Sequence, residues 1–421
     1  MRPATRVGSH PRAAIGVALL AAAALLAGCT TQTMPSPTPT PTVTPIGDGV
    51  LRIGTLFPST GATAFLGAAQ LDAVKVAVAD INAAGGVNGK PVELVSDNSG
   101  DATTHTAEAS LADLVKKGAD VIIGPSSSVL SQRLLAAAAA AQVAMISPAA
   151  TYPQLSTLDI QNVFFRTIPS TALQGTALGT LLPSKKQLKV ALVATSDDIG
   201  QSILPTLQSA LTAHGGSLVA NIALTASSSA ADVVAQVKTA APDAVVLDTP
   251  DNGAQTKAII TALVKGGFGG AKLWLTSQNL ADYSLALPAG QLKGVSGILE
   301  GGVSSTAFQA KLKAVDPRIN SFQYAPEAYD ATILAALAAV LAHDDAGIRL
   351  AGQLRAASIG GIKCTSYAEC LDVLVSEPAI DYDGLSGPVN LDAAGDPTSA
   401  TYGVFTYTAG NKYARSGSVT G

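Results

Sequence analysis

The chain has 421 residues, too many for one ordinary core and comfortable for two α/β domains. Hydrophobic residues make up 48% and charged residues only 13%, so most of the chain buries surface and is not disordered. The net charge of −4, with no basic stripe along the chain, argues against nucleic acid as a partner.

In chain order, Arg2, Arg6 and Arg12 precede an apolar run over 13–27. This run is shorter than the roughly 20 residues of a spanning helix. With Leu26-Ala27-Gly28-Cys29 at its end it resembles a bacterial lipobox. That resemblance implies a signal peptide over 1–28, cleavage before Cys29 and lipid on that residue. The mature protein is then expected outside the cytoplasm, lipid-anchored to the cell membrane. The tract TTQTMPSPTPTPTVTP (30–45) has no apolar periodicity, and its prolines favour an extended, semi-rigid chain. Residues 29–49 are therefore expected to be a Pro/Thr-rich tether. No other stretch reads as a membrane span.

From residue 50 strands alternate with helices. Strands are expected at 50–57, 91–97, 119–125 and 143–149, with helices over 68–86, 105–118 and 131–142 between them. Gly85-Gly86 and Gly118 stand where helix C-caps belong. A second series follows: strand 189–195, helix 200–214, strand 217–224, helix 230–240, strand 243–249, helix 252–265 and strand 272–277. Later come a long helix near 326–342, a shorter one near 349–356 and a β-like tail over 387–408. Alternation of this kind means parallel sheets covered on both faces, so the fold class is α/β with two Rossmann-like, doubly wound lobes. Cys364 and Cys370, the cysteines left after Cys29, are expected to form a local disulfide. No further ligands accompany them, so neither a metal site nor a cofactor is expected.

Two strand-to-helix loops of the first series carry chemistry. One is GPSSS (124–128) and the other is SPAAT (147–151). A helix N-terminus presents unpaired N–H groups and a partial positive charge, which suits a carboxylate, and serine or threonine hydroxyls add neutral donors. Helix capping is the plainer use of the same serines. His105, His214 and His343 are scattered without metal spacing, and Trp274 reads as core. Tyr329-Asp330 is explained by packing, and Asp97 either borders the cleft or caps its loop.

In this order, RIGTLFPSTGATAFLG, AVADINAAGGVNGKPVELVSDNSGD, VIIGPSSS, ISPAATYPQL and FRTIPS, then APEAYDATILAALAAV and YDGLSGPVNLDAAGD, resemble the leucine/isoleucine/valine-binding family of type I periplasmic binding proteins. The likeness covers nearly all of 50–410. It implies a three-segment hinge, with lobe 1 formed by 50–169 and 302–377 and lobe 2 by 170–301 and 378–421. It implies a carboxylate held by Ser128 and Thr151, with Ser127 and Ala150 beside them, an α-ammonium accepted by the Ala149 carbonyl, and Leu66 as a wall. In lobe 2 the pattern departs. Ile199 replaces a tyrosine, Pro250 and Asp251 stand where an aromatic is common, and Gln278 replaces an acid that pairs the ammonium. Asp198 or Asp251 is a candidate for the missing charge, turn and capping duty being the alternative.

No nucleophile elbow, phosphate loop or zinc-protease motif is present, so a binder is expected and not an enzyme. The resemblance implies a monomeric solute receptor of an ABC importer, working with permease subunits on a small, carboxylate-bearing ligand. A ligand-sensing or regulatory envelope lipoprotein of the same fold is the alternative.

Overall fold

The computed structural model describes residues 46–421 apart from 62, 159–161, 251 and 302. The signal segment, Cys29 and nearly all of the tether thus lie outside the described residues, as does Asp251. The first series runs β1 (Arg52–Phe57), α1 (Ala64–Ala83), β2 (Glu93–Asn98), α2 (Thr106–Lys116), β3 (Val121–Ile123), α3 (Ser128–Ala141), β4 (Ala144–Ser147), α4 (Leu155–Leu158) and β5 (Phe164–Arg166). The second runs α5 (Leu173–Ser184), β6 (Lys189–Thr195), α6 (Asp198–Gln201), α7 (Leu204–Ala213), β7 (Ser217–Leu224), α8 (Ala230–Ala240), β8 (Ala244–Asp248), α9 (Ala254–Leu263), β9 (Leu273–Leu275) and β10 (Ser296–Glu300). Then follow α10 (Thr306–Val315), α11 (Ala325–Ala342), α12 (Gly347–Ala351), α13 (Leu354–Ser358), β11 (Ile362–Cys364), α14 (Tyr367–Ser376), β12 (Ile380–Gly384), β13 (Gly387–Pro388), β14 (Thr401–Tyr407) and β15 (Tyr413–Thr420).

The first lobe holds a parallel sheet in the order β2-β1-β3-β4-β5. Its middle strands are short apolar runs with no exposed face, as burial on both sides demands. The second sheet runs β15-β14-β10-β9-β8-β6-β7, with β14 antiparallel to β10 and β15 antiparallel to β14. Strand order reverses between β1 and β3 in one lobe and between β6 and β8 in the other, which puts a crevice at the carboxyl ends of those strands.

Helix α11 is largely apolar, with Glu327 and Asp330 as its charged residues, and every residue from Ala325 to Ala339 is buried. It has the length and composition of a membrane span but forms the centre of the first lobe, packed on α1. The start of the body is pinned to the loop that follows it. Gly47 N–H donates to Asp344 Oδ1 and Gly49 N–H to Asp345 Oδ1, at 2.9 and 2.8 Å. Cys364 and Cys370 are disulfide-bonded, and both are buried in the same core.

Three expectations shift. The helix expected at 200–214 is two, α6 and α7, because the chain turns at Ser202-Ile203 ahead of Pro205. The helix near 349–356 is likewise two short pieces, α12 and α13. The return to lobe 2, expected at 378, comes later. Ile380, Tyr382, Val389 and Leu391 lie in the first-lobe core, and β12 pairs with β11 and β13, so only β14 and β15 join the second sheet.

Candidate ligand-binding site

At the carboxyl end of β3 the chain passes through Gly124, whose φ of +120° suits glycine, and a cis Gly124–Pro125 bond. A Cβ on Gly124 would sit 2.5 Å from the Leu56 carbonyl oxygen, so the turn runs hard against β1. The three serines then divide their work. Ser126 Oγ donates to Gln70 Oε1 at 2.8 Å, and Gln70 Nε2 donates to the Leu66 carbonyl in the first turn of α1. Ser127 is the N-cap of α3, its hydroxyl accepting from Leu130 N–H at 3.4 Å.

Ser128 does something different. Its Oγ accepts from the Thr151 and Tyr152 amides at 3.0 and 3.2 Å, which uses the oxygen as an acceptor and leaves its own proton to donate. Ser128 therefore ties the two expected loops into one unit.

Within the second loop Ser147 Oγ accepts from Ala149 N–H and Ala150 N–H and donates to the Pro125 carbonyl. The Ala150 carbonyl accepts from Arg166, and the Thr151 carbonyl accepts from both Thr171 N–H and Thr171 Oγ1. Ala150 thus has both backbone groups engaged by protein and shapes the loop. Among the described residues the Ala149 carbonyl and Thr151 Oγ1 have no protein partner. The expectation that loop amides are free for an anion needs correcting, because Ser147 and Ser128 occupy those of residues 149–152. The amides left over are those of Ser128 and Val129 in the first turn of α3, together with the Ser128 O–H and Thr151 O–H.

In the second lobe Asp197 caps α6, and Asp198 beside it is exposed. Ile199 is half-buried, and Pro250 is exposed and has no donor to offer. The Gln278 carbonyl accepts from Asn252 Nδ2, while its amide side chain is half-buried and unengaged among the described residues. Asn279 locks the neighbouring loop by accepting from Thr249 N–H and donating to the Thr249 carbonyl and hydroxyl. Behind these loops two buried acids lie on the face covered by α5. Burial pushes the Asp248 carboxyl up to about 7 against the hydrogen bond from Thr276, and burial also raises Glu300.

Among the described residues no cluster of His, Cys, Asp or Glu has the makings of a metal site. A cavity of about 470 Å³ opens between β1, β2 and the start of α1, lined by Phe57, Leu71 and Asp97 among others. Its lining includes none of the candidate ligand residues, and Asp97 within it accepts from Asn98 N–H. His105 is exposed, and Trp274 is buried with its Nε1–H donating to Gln187. Tyr329 donates to Asp80, and Asp330 is wrapped by donors from Tyr382, Leu385 and Ser386. The residues that sequence reasoning left without a role are Ser147, Arg166, Thr171 and Gln174. Arg166 had a visible signal, since a lone arginine ending the apolar run VFFR must find partners inside.

Two parallel-sheet lobes with hydroxyl-lined loops at their switch points define the type I periplasmic binding protein fold. The chain matches the family described as "Receptor family ligand binding region" over residues 69–410. It belongs to that family, which is defined by a ligand-binding region. It is 26% identical over 362 residues to the chemotactic signal transduction system substrate-binding protein BasB of Halobacterium salinarum, covering 82% of this chain and 84% of that one. It is 28% identical over 183 residues to the Leu/Ile/Val-binding protein BraC3 of Rhizobium johnstonii, a match to 43% of this chain and 49% of that one. The solute-binding protein of an ABC transporter from Rhodopseudomonas palustris, solved with p-hydroxybenzoic acid, superposes with a TM-score of 0.62 at 17% identity, covering 88% of this chain and 97% of that chain.

Proposed function

We propose that this protein is the extracytoplasmic, lipid-anchored solute-binding component of an ABC importer, capturing a small carboxylate-bearing ligand between its lobes. The carrying observation is the Ser128 hydroxyl. Two amides fix it as an acceptor, which leaves its proton to donate, and the first-turn amides of α3 start at the same residue. That is a ready cradle for a carboxylate without a full positive charge. The bare Ala149 carbonyl offers an acceptor for a ligand N–H or O–H. Gln278 supplies a neutral amide from the facing lobe, and Leu66 the apolar wall. With no acid at position 278, an ammonium gains no charge-assisted bond there, which favours ligands carrying a hydroxyl or a weak donor opposite the acid. The relative named for Leu/Ile/Val binding and the fold neighbour holding p-hydroxybenzoic acid both handle small acids, which fits this reading. Ligand affinity for the closed form would shift the open–closed equilibrium, and the closed shape would engage a permease.

Isothermal titration with L-leucine, L-isoleucine, benzoate and 4-hydroxybenzoate, paired with small-angle scattering, tests it. Binding of at least one acid with compaction is expected; silence toward all four, with no change in dimensions, overturns it. The likeness to BasB favours one second reading, in which the same capture reports to a signalling receptor and not to a permease. Crosslinking in the native envelope separates the two by the protein recovered.

A further inference from the structure

We infer that Arg166 and Asp396 form a buried positioning pair that sets the loop around Thr151 and ties it to the return segment of the hinge. This rests on the proposed function of that loop. Arg166 is fully buried, and all five of its N–H donors are used. Nε and Nη2 donate to the two carboxylate oxygens of Asp396 at 2.6 and 2.7 Å, and Nη2 also to Ser156 Oγ at 2.7 Å. Nη1 donates to the Ala150 and Tyr152 carbonyls at 3.1 and 3.0 Å. Those two carbonyls flank Thr151, whose own carbonyl is held by Thr171 in the first crossing between lobes. Asp396 belongs to the turn that leads into β14, the last return to the second lobe. The Thr151 loop is thereby braced from two of the three connections about which the lobes move.

A buried ion pair is a weak source of net stability, since desolvation offsets its attraction. Its geometric use is better supported here, because only the planar guanidinium can bridge a carboxylate and two carbonyls at once. Lysine at this position keeps the charge and loses the fork. If the pair positions the carboxylate cradle, its loss should fall on the ligand's acid group specifically, whereas a merely structural pair would lower stability alone.

The test compares acid and amide probes, L-leucine against L-leucinamide and 4-hydroxybenzoate against 4-hydroxybenzamide, by titration calorimetry on the full chain. Wild type should prefer the acid of at least one pair by about ten-fold or more, the scale of one hydrogen bond to a charged group. Arg166→Lys should bring that preference to within about three-fold of unity, and Ser156→Ala should cut it by at least about three-fold. Should Arg166→Lys not fold, Ser156→Ala, which removes one half-buried hydroxyl, decides alone. Variants that keep the wild-type preference while melting earlier would overturn the inference and leave the proposed function standing. A wild type with no preference for either acid would end both.

Discussion

At the scale of single residues, the site separates hydroxyls that hold the protein from hydroxyls left for a ligand. Ser128 does both, so its loss touches the fold as well as the ligand. Ser128→Ala strands the Thr151 and Tyr152 amides, each costing about 1–3 kcal/mol when buried unpaired, so the melting temperature should fall as well as affinity. Thr151→Val is the cleaner probe, because Thr151 Oγ1 has no partner among the described residues. Calorimetry should find acid binding weakened about ten-fold with the melting curve nearly unchanged. Asp248 supplies a pH test. Its carboxyl titrates near 7 in the fold, and the unfolded value is about 3.9. Between those values the folded protein holds a proton that the unfolded chain has lost, so this residue makes stability fall as pH rises through that window. Asp248→Asn should therefore melt above wild type at about pH 8, with the gain shrinking toward pH 4. A gain that grows toward acid would contradict the assignment.

At the scale of elements, what was legible depended on whether the signal was local. The alternating strands and helices of both lobes were readable because their apolar runs and glycine caps are contiguous in sequence. Helix α5 was not, since LQGTALGTLLPS carries two glycines and a proline that look like breakers. The structure explains them by proximity. A Cβ on Gly175 would lie 2.2 Å from Thr206 Oγ1, and one on Gly179 would lie 2.5 Å from the Ala210 Cβ, so both glycines let α5 press against α7. Intrinsic propensity favours alanine at a helix interior by about 1 kcal/mol. Contact geometry reverses that here, and Gly175→Ala and Gly179→Ala should each destabilise by about 1–3 kcal/mol in denaturant titration. In the site, Ser127, Ser128 and the SPAAT loop were readable as a helix start and its neighbour. Arg166–Asp396 and Gln174–Ser277 were not, because their partners lie 230 and 103 residues away and no short pattern records them.

At the scale of the whole molecule, capture is a statement about two lobes and their connections. A ligand that binds only the closed form should raise stability by about 2.7 kcal/mol at a hundred times its dissociation constant. Thermal shift against concentration, run alongside scattering, should show the melting temperature and the compaction saturating together. Shift without compaction would place the ligand on one lobe only.

The threading of the chain through the body sets the order in which it can be made. The core around α1 is completed only by α10, α11 and the segment to Leu391, and the second sheet is completed only by β14 and β15. A chain emerging from the ribosome up to β10 has therefore built most of both sheets while the apolar face of α1 still lacks its cover. Such nascent pieces are prone to clump, and no single proteolytic cut can release a lobe whole. Both lobes are therefore closed only by segments from the last quarter or so of the chain.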